Sequence, residues 1–157
     1  MADRDPGPLI AVPASYDVDV HAWTRAQAEL LRSAQFGALD LPNIIEEIES
    51  LGNEQEHAIE SFMVILAEHL VKLMVSSDRE PRRAWRRSVV SSRNGIARRI
   101  RKSPSLRRML SKMFDEAWPD ARDEARGGLR EAEEHLIPEA LPFTVDQALD
   151  PSFFPGD

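Results

Sequence analysis

The chain contains no cysteine. That excludes disulfides, thiolate metal sites and a thiol nucleophile. Aromatic side chains are sparse, at 6%, and there are only four histidines, so a metal centre built from several imidazoles has little to draw on. Long hydrophobic runs are also missing. The most apolar stretch is Ser61–Val75, and Glu68, His69 and Lys72 interrupt it. It falls short of the roughly 20 apolar residues that a membrane-spanning helix needs. The opening MADRDPGPLIAVPAS lacks a basic segment followed by an apolar one, so it does not read as a secretory signal. No glycine-rich phosphate loop, nucleophile elbow or zinc-protease motif occurs. These absences set the expectations: a cytoplasmic protein, no membrane partner and no cofactor.

What is present is charge, unevenly spread. Of the 157 residues, 30% are charged and the net charge is -7. Residues 1–78 carry 4 Lys/Arg against 14 Asp/Glu, residues 79–102 carry 10 against 1, and residues 103–157 carry 6 against 12. One basic segment, REPRRAWRRSVVSSRNGIARRIRK, therefore lies between two acidic ones. The remaining length suffices for one domain with a core. Residues 1–15 hold three prolines and no periodic pattern, and read as a flexible arm. Residues 16–157 read as a single helical domain.

The periodicity is helical throughout. Asp17 or Asp19 is placed to cap a first helix along Val20, Trp23, Gln27, Leu30, Leu31 and Ala34, with Gly37 just past its end. Asp40 is placed to cap a second, whose stripe is Leu41, Ile44, Ile45, Ile48 and Leu51. Gly52 is expected to break or kink the pattern before a third helix, from about Asn53 to Ser76, that is apolar nearly all round. After Pro81 comes the arginine helix. Its residues Trp85, Val89, Ser92, Ile96 and Ile100 fall within a sector of about 80° at 100° per residue. That predicts one buried stripe, with arginines over the rest of the circumference. Ser103-Pro104 opens a further helix along Leu106, Leu110, Met113, Ala117 and Ala121, which Pro119 should kink or split. In the tail, Thr144 and Gln147 form a capping box, and Phe143, Leu149, Phe153 and Phe154 are too apolar to leave in water. The fold class is all-α: a bundle of four to five main helices with a docked Pro/Phe-rich C-terminal tail.

The segments YDVDVHAWTRAQAELLRSAQFGALDLPNIIEEIESLG, HLVKL, RRAWRRSV, IARRIRKSPSLR and PFTVDQALD, in that order, resemble a bacterial family, domain of unknown function 29. The resemblance runs from about Tyr16 to the end. It implies a small all-helical bacterial protein and brings no established activity, hence no catalytic residues. Leu73 stands where a tryptophan often follows the lysine of HLVKL, and Pro119 falls within the later helix.

Candidate chemistry is thin. His69 lies amid apolar residues, where both ring nitrogens need partners, and a carboxylate or carbonyl holding it is the simpler reading. The sharper reading makes His69, Glu46 and Glu47 catalytic candidates, or His69, Glu46 and Glu49 metal ligands. It requires a fold-back at Gly52; one continuous helix would set them over 30 Å apart at about 1.5 Å per residue. Glu54 and His57 share a helix face, but two-metal bundles need two such motifs and further glutamates. No metal is expected. The basic face, Arg82, Arg83, Arg86, Arg87, Arg93, Arg98 and Arg101, could neutralise the chain's own acidic helices or meet a partner subunit. It could also bind nucleic acid or a small anion. The flanking acidic segments would oppose a polyanion, and Trp85 is the one aromatic interleaved. The expected function is a non-enzymatic interaction or self-associating module, with a second copy or another protein as partner. The alternatives are a metal-binding or hydrolase-like bundle and, after it, a nucleic-acid binder; nucleic acid is not the favoured partner.

Overall fold

Of the two caps that the sequence offers, Asp19 opens the first helix: its carboxylate accepts the Ala22 N–H at 2.9 Å. The computed structural model describes residues 15–156. The N-terminal arm, apart from Ser15, lies outside the described residues. The four long helices are α1 (Val20–Arg32), α2 (Leu41–Val75), α3 (Arg82–Lys102) and α4 (Leu110–Gly127). Two short ones follow, α5 (Glu131–Glu134) and α6 (Val145–Leu149). No strand occurs among the described residues, so the all-α expectation holds. The chain divides into two compact units, one ending at Leu51 and the other starting at Gly52.

In the first unit, α1 does not stop at Gly37. Ala34 takes the left-handed conformation at φ 56°. Its N–H donates to Leu31 at 3.1 Å, and Gln35 N–H donates to Leu30 at 2.9 Å. This is the paired closure of a Schellman end, built here on alanine in place of glycine. Gly37 lies instead in a 3-10 turn, Phe36–Ala38. Asp40 then caps α2, its carboxylate taking the side-chain amide of Asn43 at 2.7 Å as well as the Asn43 backbone N–H. Trp23 is the one core tryptophan of this unit, 3% exposed. Its indole N–H donates to Asp40 at 3.1 Å, and the Tyr16 ring meets it edge-on at 5.0 Å. The Tyr16 hydroxyl donates to Glu47 at 2.6 Å, which together with burial pushes the phenol up to about 12. The α2 stripe is not buried: Leu41, Ile45, Ile48 and Leu51 are 53%, 53%, 65% and 62% exposed.

Gly52 neither breaks nor caps α2, which runs through it from Leu41 to Val75. One glycine costs a helix about 1 kcal/mol against alanine. The surrounding Glu, Leu and Gln residues are good helix formers and absorb that cost.

The second unit forms around the later part of α2. Ile59, Met63, Leu66, Ala67, Leu70, Val71 and Leu73 are fully buried there. α3 contributes the predicted stripe: Trp85, Val89, Ser92, Ile96 and Ile100 are all buried. At Gly95 of α3 a Cβ would stand 2.5 Å from the Phe62 ring of α2. A 3-10 turn, Pro104–Met109, replaces the expected first turn of the next helix, and α4 begins only at Leu110. α4 is continuous through Pro119, contrary to the predicted split. The carbonyl that Pro119 leaves without its helical donor is that of Asp115, an exposed position where water can serve it. Gly128 closes α4, pressed against the Lys72 side chain. The tail docks as expected: Phe143 and Ala148 are buried, Leu149, Phe153 and Phe154 pack on the core, and Thr144 and Gln147 form the capping box.

Candidate interaction face on the arginine helix

The arginines of α3 divide into inward and outward sets. Arg93 is inward and 7% exposed. Its guanidinium donates to three tail carbonyls: Ala148 at 2.8 Å, Pro151 at 3.4 Å and Phe153 at 2.7 Å. Burial pushes its pKa down, partly offset by the nearby Asp150 charge. Arg82 donates to the carbonyls of Leu73 at 3.0 Å, Ser76 at 3.3 Å and Gly156 at 2.8 Å. Arg86 and Arg93 lie over the Phe154 ring at 4.7 and 4.9 Å, and Arg99 lies over Phe62 at 5.1 Å. These residues fasten the tail and α2 to α3 through backbone oxygens and ring faces.

Arg83, Arg87, Arg98 and Arg101 point outward. Among the described residues, none of the four forms an ion pair with a carboxylate. The expected neutralisation by the chain's own acidic helices is therefore not what positions them.

One face of α3 borders an open cleft of about 950 Å³. Arg82, Arg83, Arg86, Arg87, Val90, Ser91 and Asn94 recur there at helical spacing, joined by Arg79 from the turn before α3 and by Phe154 from the tail. Val90 is 46% exposed in the middle of this row. The face thus has an apolar centre, Val90 with Phe154, and a rim of guanidinium groups. Arg79, Val90, Asn94 and Phe154 were not among the residues singled out from sequence. Arg79, Val90 and Asn94 continue the Arg83–Arg87 row at steps of three and four, and that register was the available clue. Phe154 had none, because it arrives from the far end of the chain. Arg93 and Arg101 belong to a different and smaller cavity of about 390 Å³, with Ile96, Ile100 and Asp146.

The histidine candidate has local partners. His69 Nδ1 donates to the Ile65 carbonyl at 2.8 Å, and Glu68 Oε2 stands 3.4 Å from the same nitrogen. Glu68 also binds Lys72 at 2.5 Å, an i,i+4 pair whose side chains are only 14% and 7% exposed. Glu46, Glu47 and Glu49 belong to the first unit and His69 to the second, all on one uninterrupted helix. The fold-back at Gly52 that would join them is not formed, and Glu47 is engaged by Tyr16. His57 pairs with Glu60 at 3.0 Å, both side chains well exposed. No three His, Asp or Glu residues gather into a ligating group among the described residues.

A polar knot that sequence reasoning passed over closes the end of α2. Glu133, 6% exposed, accepts from Ser77 N–H at 2.8 Å, from the hydroxyls of Ser76 and Ser77, and from Arg130 at 2.7 Å. Arg130 also reaches Asp78 at 3.2 Å. The Arg130 guanidinium first, and then the Ser77 N–H, hold the Glu133 carboxyl down at about 2. Each acceptor oxygen is satisfied from within, which suits a structural clasp more than a reactive acid.

No helix among the described residues is long and apolar enough to cross a membrane. No curated protein and no solved structure matches the chain. A family described as Domain of unknown function DUF29 matches residues 15–154, nearly the whole length and the same family that the sequence segments resemble. The chain is accordingly a member of the DUF29 family.

Proposed function

We propose that this protein is a non-enzymatic interaction module of the bacterial cytoplasm, which binds a protein segment, on another protein or on a second copy of itself, through the arginine-rimmed face of α3. One observation carries this reading: an exposed helix face with an apolar centre at Val90 and Phe154 and outward guanidinium groups at Arg83 and Arg87. Such a face suits an amphipathic helix with an apolar stripe and acidic flanks. The stripe covers Val90 and Phe154, and carboxylates meet the rim in charge-assisted, often bidentate, pairs. Nucleic acid is the second reading, since the same arginines could meet phosphates. The apolar centre and the net charge of -7 favour the protein segment. A hydrolase-like or metal-binding bundle on His69 with Glu46, Glu47 or Glu49 draws no support from their placement.

The test is a fluorescence titration of a labelled helical peptide with an Ile/Leu stripe and glutamate flanks. Its controls are the same stripe with lysine flanks and a random duplex DNA. Each is titrated into the wild-type chain and into Arg83→Glu/Arg87→Glu, whose exposed positions leave the helix intact by circular dichroism. The acidic peptide is expected to bind, the lysine peptide not, and the double variant to lose the acidic peptide. Salt-sensitive DNA binding without peptide binding, or equal peptide binding by wild type and variant, would overturn the proposal.

A further inference from the structure

We infer that the segment the α3 face accepts is the acidic, apolar stretch Leu41–Leu51 of a second copy of this chain, so that two chains dock reciprocally. This rests on the reading of the α3 face given above. The stretch is LPNIIEEIESL, with three glutamates and no lysine or arginine. Leu41, Ile45, Ile48 and Leu51 lie within about 120° of the helix circumference at 100° per residue. All four are more than half exposed. An uncovered stripe of large aliphatic side chains on a water-facing helix marks a surface that another surface covers. Glu49 borders the stripe on one side and Glu47 on the other.

The two surfaces match in sign, chemistry and length. One is apolar with carboxylate borders; the other is apolar at Val90 and Phe154 with a guanidinium border. From Leu41 to Leu51 the stripe extends about 15 Å, and from Arg83 to Asn94 the α3 row extends about 16 Å, each at 1.5 Å per residue. Charge of opposite sign on paired faces fixes partner and register. A single helix-on-helix contact of this length is small beside the roughly 1,200–2,000 Å² of a stable interface. Each chain carries one copy of both surfaces, so reciprocal docking forms two such contacts at once and closes with two-fold symmetry.

The experiment is sedimentation velocity on the full chain at about 1–100 µM, in low and physiological salt, with three samples besides wild type. Ile45→Glu/Ile48→Glu breaks the stripe, Arg83→Glu/Arg87→Glu breaks the α3 face, and the third sample is their equimolar mixture. The substituted side chains are exposed, and circular dichroism checks that each variant keeps its helix content. Wild type is expected to dimerise and each variant alone to stay monomeric. The mixture should regain a dimer, because an intact stripe on one chain finds an intact α3 face on the other. That mixed dimer is expected to be weaker than wild type by roughly tenfold or more, one contact acting where two acted together. A monomeric wild type over the whole range, a dimer that either variant leaves unchanged, or a mixture that stays monomeric would each overturn the inference. If the acidic peptide still binds the α3 face while wild type is monomeric, only the choice of occupant falls. If the peptide fails as well, the reading of the face falls with it.

Discussion

Arg93 brings a guanidinium into the interior and spends it on backbone oxygens. Three tail carbonyls receive it, and no carboxylate among the described residues forms an ion pair with it. Truncation would strand those acceptors, the buried Ala148 carbonyl above all. Arg93→Ala is therefore expected to destabilise the second unit by about 3 kcal/mol, and Arg93→Lys to recover only part of that, because an ammonium cannot reproduce the planar fork. Urea unfolding of the three proteins measures both. Glu133 sets a pH dependence. Its carboxyl lies at about 2 in the folded chain against an ordinary 4.5. The stabilisation it provides is thus complete above about pH 4.5 and is lost as the pH falls toward 2. The urea midpoint of wild type should decline across that window, and Glu133→Gln should be lower at neutral pH but flatter below pH 4.5. A parallel decline in both would remove Glu133 from the account. The knot was illegible in the sequence because Ser76, Ser77, Asp78, Arg130 and Glu133 come from two places more than fifty residues apart. None of them sits in a periodic pattern.

Two predictions belong to the helices as elements. Ala34 ends α1 in the left-handed region, where alanine is strained and glycine is not. Ala34→Gly should stabilise the end of α1 by about 0.5–1 kcal/mol, read as slower hydrogen exchange at the Gln35 amide. Gly52 lies mid-helix with nothing within 4 Å of a Cβ placed there. Gly52→Ala should therefore raise helix stability by about 0.5–1 kcal/mol with no loss of packing. A destabilising result would mean that the backbone at Gly52 is not helical in solution. The elements themselves were largely readable. The α3 stripe from Trp85 to Ile100, the Asp19 and Asp40 caps and the Thr144 capping box depend on spacing within a few residues, and spacing is what a sequence displays. Gly52 and Pro119 depart from expectation for one reason. Residue type alone marks each as a breaker, yet a glycine amid strong helix formers, or a proline whose orphaned carbonyl faces water, costs less than the helix gains by continuing. Gly37 departs the other way, because α1 closes earlier, on Ala34.

At the scale of the whole molecule the two units are unequally endowed. Among the described residues of the first, Trp23 alone is buried; the second holds a contiguous core from Ile59 to Ala148. Native-state hydrogen exchange should separate them. The amides of α1 are expected to open at a distinctly lower free energy than those of Met63–Leu73 in α2. Equal protection in both would show that something beyond Trp23 holds the first unit. The asymmetry was hidden in the sequence. The stripe from Leu41 to Leu51 has the periodicity of a buried face, and periodicity reports only that a face is apolar, not whether this chain covers it. The candidate site was legible to the same degree. The basic character of α3 was plain, but which arginines turn inward depends on where the tail lands.

The fastening of the tail by Arg82 and Arg93 also bears on how quickly the second unit can form. Helical proteins usually fold fast because most of their contacts are close in sequence. Here the bond from Arg82 to Gly156 spans 74 positions and those from Arg93 span 55 to 60. Closing a segment that long costs about 4 kcal/mol of chain entropy before any contact repays it. The α3 surface that receives Phe154 must already be in place. Arrival of the tail is thus the expected final step of folding for this unit, slow by the standard of helix formation, and the core stays unsealed until residues 145–156 have docked.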